Sequence, residues 1–159
     1  MSQLRIDHAT ADDVPAILRF IRGLAEYEKL ADRYTATESS LRETLFGDKA
    51  YAEVLIARLQ DVAVGYALFF HSYSTFMAKP GLYLEDLFVL TEHRGKGVGK
   101  ALLLSVARIA RERNCGRLEW SVLDWNQPAI DFYKRMGALV MSDWRICRLT
   151  EEQLQKLGG

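Results

Sequence analysis

The pattern of this chain predicts an α/β (α+β) fold on a mixed, mostly antiparallel twisted sheet, and three observations carry that expectation. Three strand-like runs, at 52–59, 62–73 and 82–90, follow one another with short connections, as in an antiparallel meander. The period then changes to helix spacing over 97–113, strand at 117–123, helix at 127–136 and strand at 139–149. A helix joining two strands implies a right-handed crossover and a parallel pair, so the sheet is expected to be mixed, with helices on both faces.

Taken in order, the elements have local reasons. Residues 4–8 read as a short strand. Thr10 with Asp13 makes a capping-box-like start, and Val14, Ile17, Leu18, Ile21, Leu24 and Ala25 follow at the spacing of an amphipathic helix. Thr37 caps a shorter helix carrying Leu41, Leu45 and Phe46, which Gly47 ends. Gln60-Asp61 reads as a tight turn between the first two strands of the meander, and Pro80-Gly81 as the turn before the third. Asn126 reads as a helix N-cap with Pro128 in the first turn, and Gly137 as the stop. An apolar last strand with Val140, Ile146 and Leu149 precedes a short helix opened by Thr150 and Gln153.

Composition narrows the function classes. A chain of 159 residues, 49% hydrophobic and 26% charged, suits one domain over 1–159 with a real core. Lys plus Arg and Asp plus Glu both total 21, which lacks the basic excess that nucleic-acid binders direct at phosphates, so no nucleic-acid partner is expected. The start, MSQLRIDHATADD, has no signal-peptide pattern, and the longest apolar run, VAVGYALFF, is too short to span a bilayer; a cytoplasmic protein without a membrane partner is expected. Cys115 and Cys147 read as reduced thiols, His8, His71 and His93 are scattered, and no metal site is expected.

The stretch HRGKGVGKALL, residues 93–103, raises the question of a phosphate. It is not a P-loop, because Arg94 and Ala101 occupy the places of the first glycine and of the Ser or Thr. It is not the dinucleotide fingerprint either, because Gly95, Gly97 and Gly99 alternate as G-x-G-x-G. The more general device survives: glycines turn backbone N–H groups toward one point, a helix start adds its positive dipole end, and Arg94, Lys96 and Lys100 add charge.

Strand, Arg-x-x-Gly-x-Gly, then helix resembles the pyrophosphate loop of the GCN5-related N-acetyltransferases (GNAT). YLEDLFV before it and WNQPAIDFYKRMGA after it are similar to the same family's fourth strand and later cofactor-binding helix. LAEYEKL, LYLEDLFV, RGKGVG and WNQPAIDFYKRMGA together resemble the spermidine/spermine acetyltransferase branch with its thialysine acetyltransferase relatives. The loop HSYSTFMAKPG and the segment LVMSDWRICRL depart from that branch, and both bear on the acceptor.

The resemblance implies a V-shaped splay between the fourth and fifth strands, acetyl-CoA as co-substrate, and a homodimer. It implies cofactor contacts from Leu87, Phe88 and Val89, from Arg94, Gly95, Lys96, Gly97, Val98, Gly99 and Lys100, and from Asn126, Ala129, Tyr133 and Arg135. On the acceptor side it implies Tyr27, Glu28, Glu85 and Asp86, acidic and aromatic as a small cationic amine requires. Ideal alternation sends Glu85 and Asp86 to opposite faces, so one cavity receives both only through a bulge or splay.

Acetyl transfer from a thioester to an amine needs a neutral amine, stabilisation of an oxyanion, and a proton for the departing thiolate. An alkyl amine of pKa about 10.4 is masked by its proton at neutral pH, and the resemblance gives Glu85 the base role; an ordinary Glu, of pKa about 4.3, is a weak base for such an amine, which argues for action through a water. It gives Tyr133 the acid role: a phenol of pKa about 10 is protonated at pH 7 and can donate to a thiolate of pKa about 8.5. A main-chain N–H near Leu87 or Val89 could serve the oxyanion. The expected activity is N-acetylation of a small diamine, polyamine or thialysine-like amino acid. The alternatives are a protein lysine or N-terminal acetyltransferase and, in another class, a non-catalytic CoA-binding sensor.

Overall fold

The computed structural model describes residues 3–159, which form two compact units, the first ending at Ser121 and the second running from Val122 to Gly159. The first unit holds a five-stranded sheet in the order β1 (Leu4–His8), β2 (Glu53–Leu59), β3 (Val62–Ser74), β4 (Lys79–Val89) and β5 (Leu118–Glu119). The first three pairings are antiparallel and β4 with β5 is parallel, so the mixed sheet is as the pattern predicts.

Helix α1 (Val14–Tyr27) buries Val14, Ile17 and Phe20, and α2 (Glu38–Phe46) buries Leu41 and Leu45. These side chains form one core with Val54, Ile56, Tyr66 and Phe88 from the sheet. Each such side chain withdrawn from water contributes on the order of 1.5–3 kcal/mol. Helix α3 (Val98–Glu112) contacts β1, β2, β3 and β4 with a separate apolar stripe, Val98, Leu102, Leu103, Val106 and Ala110.

Local chemistry sets the boundaries. The Thr10 N–H donates to the Asp13 carboxylate at 2.9 Å, but this box opens a 3-10 turn, Ala11–Asp13, one step ahead of α1. The Thr37 hydroxyl accepts from the Ser40 N–H at 3.1 Å and caps α2. Gly47 follows because an added Cβ would stand 2.3 Å from the Glu43 carbonyl oxygen. Gln60 and Asp61 both have positive φ, 50° and 68°, as a two-residue type I′ hairpin requires.

Two boundaries here differ from the sequence expectation. The Pro80-Gly81 turn is not a turn: both residues belong to β4, opposite Tyr73 and Ser72, and the reversal lies at 75–78 with Ala78 at φ 51°. Pro80 is tolerated there as the second residue of its strand, and its carbonyl accepts the Gly116 N–H at 2.8 Å. The strand at 117–123 shrinks to two residues, pairing Leu82 with Leu118 and Tyr83 with Glu119. From Leu84 onward β4 has no β5 partner, at the place where the splay is expected.

The second unit contains α4 (Gln127–Arg135) and α5 (Glu151–Leu157). Asn126 caps α4 as expected, and the chain leaves it through Gly137 at φ 96°, with the Ala138 N–H on the Tyr133 carbonyl at 3.0 Å. The Thr150 and Gln153 pair opens α5. The strand expected at 139–149 does not form, and Leu139, Trp144 and Ile146 are exposed. A run of apolar residues becomes a strand only when a neighbouring ladder takes its N–H and C=O groups, and no such pairing involves this segment among the described residues.

Candidate active site

One edge of β4, from Leu84 to Val89, has no pairing with β5, and Leu87, Phe88 and Val89 lie on that stretch. β4 then runs into a 3-10 turn, Thr91–His93, and the glycine loop. Gly95 and Gly97 have φ of 78° and 81°, in the left-handed region, and a Cβ added at either would meet nothing within 4 Å. The glycines are therefore required by backbone angle, and the space above them is open. Gly99 differs: its φ is ordinary and a Cβ would make only van der Waals contact with Val89.

Gly97 is the N-cap of α3, and no side chain caps this helix. The first-turn N–H groups are thus left to an outside acceptor, and an anion suits them. Lys96 and Lys100 are exposed beside them, with the Lys96 ammonium 3.4 Å from His93 Nδ1. Val98 turns inward and is buried. Arg94 is placed differently from its charged neighbours: its Nε donates to the Val89 carbonyl at 3.0 Å, and its guanidinium lies 4.6 Å from the centre of the Tyr27 ring and 5.4 Å from that of Phe88. The first residue of the loop is thereby tied to the end of α1.

At that end Glu28 follows Tyr27 and lies near enough to Asp86 and Glu85 to feel their charges. The register of β3 and β4 solves the alternation problem: Leu68 pairs with Asp86 and Phe69 with Leu84, so Glu85 is the extra residue of a β-bulge. The extra residue puts Glu85 and Asp86 on the same side of the sheet, the side of α1. Among the described residues, no ion pair includes Glu28, Glu85 or Asp86. Burial raises the Asp86 carboxyl above the ordinary carboxylate range, the Tyr66 hydroxyl pulls it back, and the Glu85 charge raises it further. Burial likewise raises Glu28, helped by the charges of Asp86 and Glu85.

Tyr66 escaped sequence reasoning. It sits in VAVGYALFF, which reads as a plain apolar strand, yet its hydroxyl donates to Asp86 Oδ2 at 2.5 Å while the residue is fully buried. The available signal was the phenol itself, because a buried tyrosine hydroxyl needs a partner.

Asn126, Ala129, Tyr133 and Arg135 share α4 in the second unit. The Asn126 side chain accepts the Ala129 N–H at 3.4 Å, and the Tyr133 ring packs at 5.5 Å on Phe132. Arg135 lies in the last turn, where a cation complements the helix dipole.

Two left-handed glycines thus lead into a helix start with no side-chain cap, beside a strand edge that β5 does not pair. The family model described as "Acetyltransferase (GNAT) family" matches residues 21–138, a span that includes β4, the glycine loop and α4. The chain belongs to the GNAT family. It is an acyltransferase, and GNAT acetyltransferases use acetyl-CoA. A thialysine N-epsilon-acetyltransferase of Bos taurus is 37% identical, covering 100% of this chain and 99% of that one. An L-ornithine N5-acetyltransferase of Arabidopsis thaliana is 36% identical over 96% of this chain and 87% of that protein. Among solved structures, an integron cassette protein from the mobile metagenome of V. cholerae superposes with a TM-score of 0.81 at 28% identity, covering 98% of this chain and 97% of that one. Among the described residues, no GNAT helix here is long and apolar enough to cross a membrane, and no group of three or more His, Cys, Asp or Glu is arranged to hold a metal ion.

Proposed function

We propose that this GNAT enzyme, as one acetyltransferase domain over 1–159, acetylates the primary amine of a small cationic acceptor: a thialysine- or ornithine-like amino acid, or a diamine or polyamine. The observation that carries this reading is a group of three carboxylates, Glu85 and Asp86 at a bulge of β4 and Glu28 at the end of α1 near enough to feel their charges, with no ion pair among the described residues. Such a group favours an ammonium. The similarity to enzymes named for thialysine and ornithine supports the same class.

The residues present fit acetyl-CoA, which supplies an acetyl thioester when bound. Main-chain N–H groups from Gly95 to Lys100 would hold its diphosphate, since Gly95 and Gly97 adopt the required angles and leave open space. Lys96 and Lys100 add charge, and the β4 edge at Leu87, Phe88 and Val89 would offer backbone partners to an extended arm. Asn126, Ala129 and Arg135 of α4 would contribute further contacts.

Glu85 takes the acceptor's proton through a water, in keeping with its exposure on the bulge. Asp86, Glu28 and Tyr27 hold the cation. Tyr133 would supply the proton that the departing thiolate needs. The reaction is direct attack with both substrates bound, and a main-chain N–H of β4 donates to the acyl oxygen. The exposed apolar residues at 139–149 suit a homodimer. We place the protein in the cytoplasm, with no nucleic-acid partner.

A panel of amines assayed by thiol release from acetyl-CoA tests the reading. Turnover of ω-amino acids or diamines, with little on peptide lysines, is the expected result. Binding of acetyl-CoA, seen as thermal stabilisation, with no amine turned over would overturn it and leave a sensor.

A further inference from the structure

The three acidic groups are not equivalent, and the difference originates in a residue outside them. Tyr66 is fully buried, its ring stacked on Phe20 with centroids 5.4 Å apart and an interplanar angle of 24°. A phenylalanine would fill that volume equally well, so packing does not explain the hydroxyl. Its proton goes to Asp86 Oδ2 at 2.5 Å, the short range of a hydrogen bond to an ionised carboxylate. The bond is diagonal, since Tyr66 pairs across the ladder with Phe88 and Asp86 with Leu68. It therefore reaches Asp86 immediately after the bulged Glu85, where the ladder constrains side-chain direction least.

We propose that Tyr66 is a positioning residue for the acceptor: its buried hydroxyl fixes Asp86 as an oriented anion that anchors the incoming ammonium, leaving the bulged Glu85 to take the proton. The inference rests on the acetyltransferase reading above and deepens it by dividing the two carboxylates into anchor and base. One carboxylate oxygen of Asp86 is held by the phenol and the other is left for the acceptor. Glu85 receives no side-chain hydrogen bond among the described residues and stays exposed, as a group exchanging protons with water requires. The titratable groups facing Asp86 are Tyr66 from β3, Glu85 from its own strand and Glu28 from the end of α1; a cation on this side is Arg94, held over Phe88 and Tyr27. The phenol lowers the Asp86 carboxyl against burial and the Glu85 charge, so its removal raises that carboxyl's pKa.

The test is Tyr66→Phe, which keeps the ring. The expected result is an acceptor KM raised about tenfold, more than kcat falls, an unchanged acetyl-CoA KM, and an acidic limb of kcat/KM for the acceptor moved to higher pH. On an Asp86→Asn background the same substitution should add nothing further to acceptor KM. The Asp86 carboxyl carbon, titrated by NMR in the free protein, should also move to higher pH in Tyr66→Phe. That readout needs no turnover, so it tests the Tyr66 to Asp86 bond on which the inference stands even where the amine panel fails. An unmoved Asp86 titration, or an unmoved acidic limb with only a lower melting temperature, would overturn the proposal and leave the hydroxyl a structural partner. Should Tyr66→Phe not fold, difluorotyrosine placed at position 66 keeps the hydrogen bond with a stronger donor. It should move the same titration to lower pH, and an unmoved titration there counts equally against the proposal.

Discussion

Glu53 on β2 and Asp86 on β4 are two acidic residues of one sheet in opposite circumstances. Glu53 receives both arms of the Arg113 guanidinium, each at 2.7 Å, and its carboxyl is held below the ordinary range, first by those hydrogen bonds. Asp86 receives one neutral phenol, and burial holds it above that range. The first charge is neutralised within the chain and ties β2 to the residue after α3. The second has no ion pair among the described residues, at a cost to the free protein. A raised carboxyl with no cation paired to it suits a binding site, whereas a satisfied pair suits structure.

The largest expected effect breaks the proton path on the unpaired side. Glu85→Gln should lower kcat/KM for the best amine by about a hundredfold or more with little change in melting temperature. Tyr133→Phe should produce a comparable loss of transfer while acetyl-CoA binding, measured by calorimetry, stays intact. Normal turnover in either variant would remove that residue's role.

Next comes the stability trade. Asp86→Asn or Glu28→Gln should weaken acceptor use yet raise the melting temperature of the free protein at pH 7 by roughly 2–4 °C, the change that about 1 kcal/mol makes in a chain of this length. On the paired side the sign reverses. Arg113→Leu should cost no more than about 1 kcal/mol, because both partners are a third exposed, and should leave the acceptor KM unchanged. Thermal melts beside acceptor kinetics separate the two sides, and a destabilised Asp86→Asn would refute the contrast.

The smallest effect is in the pH dependence of folding. Asp86 and Glu28 have raised carboxyls, so the stability they give is fully present below the unfolded pKa and is lost as pH rises through the raised folded value. Glu53 has a lowered carboxyl and does the opposite: its contribution is present above the unfolded pKa and is lost as pH falls through the folded one. Denaturant melts should show the free protein gaining stability between neutral pH and the onset of Glu53 protonation, and Asp86→Asn with Glu28→Gln should abolish that gain. A wild-type curve that falls steadily over this range would contradict the assignment.

Where the chain's own periodicity and capping chemistry suffice, the sequence was legible: the stripe of α1, the Thr37 and Asn126 caps, the Gln60-Asp61 hairpin, and the glycines before α3. It failed where long-range pairing decides. Pro80 and Gly81 look like a turn locally, yet pairing with Ser72 and Tyr73 holds them in β4. The apolar pattern at 139–149 promised a strand, but a strand exists only as a partner in a ladder. Among site residues, Glu85, Asp86, Tyr27 and Glu28 came from family-like motifs, whereas Tyr66 passed unnoticed inside an apolar run.

By itself the sequence determined the helices with their caps, the Gln60-Asp61 hairpin, and the glycines that lead into α3. Only the tertiary structure decided that Glu85 is a bulge, that Glu85 and Asp86 share a face, and that a phenol buried at Tyr66 reaches one of them. Such facts depend on the register between β3 and β4 and on packing against α1, which join residues some twenty or more positions apart. No local window of sequence contains the partner that fixes them.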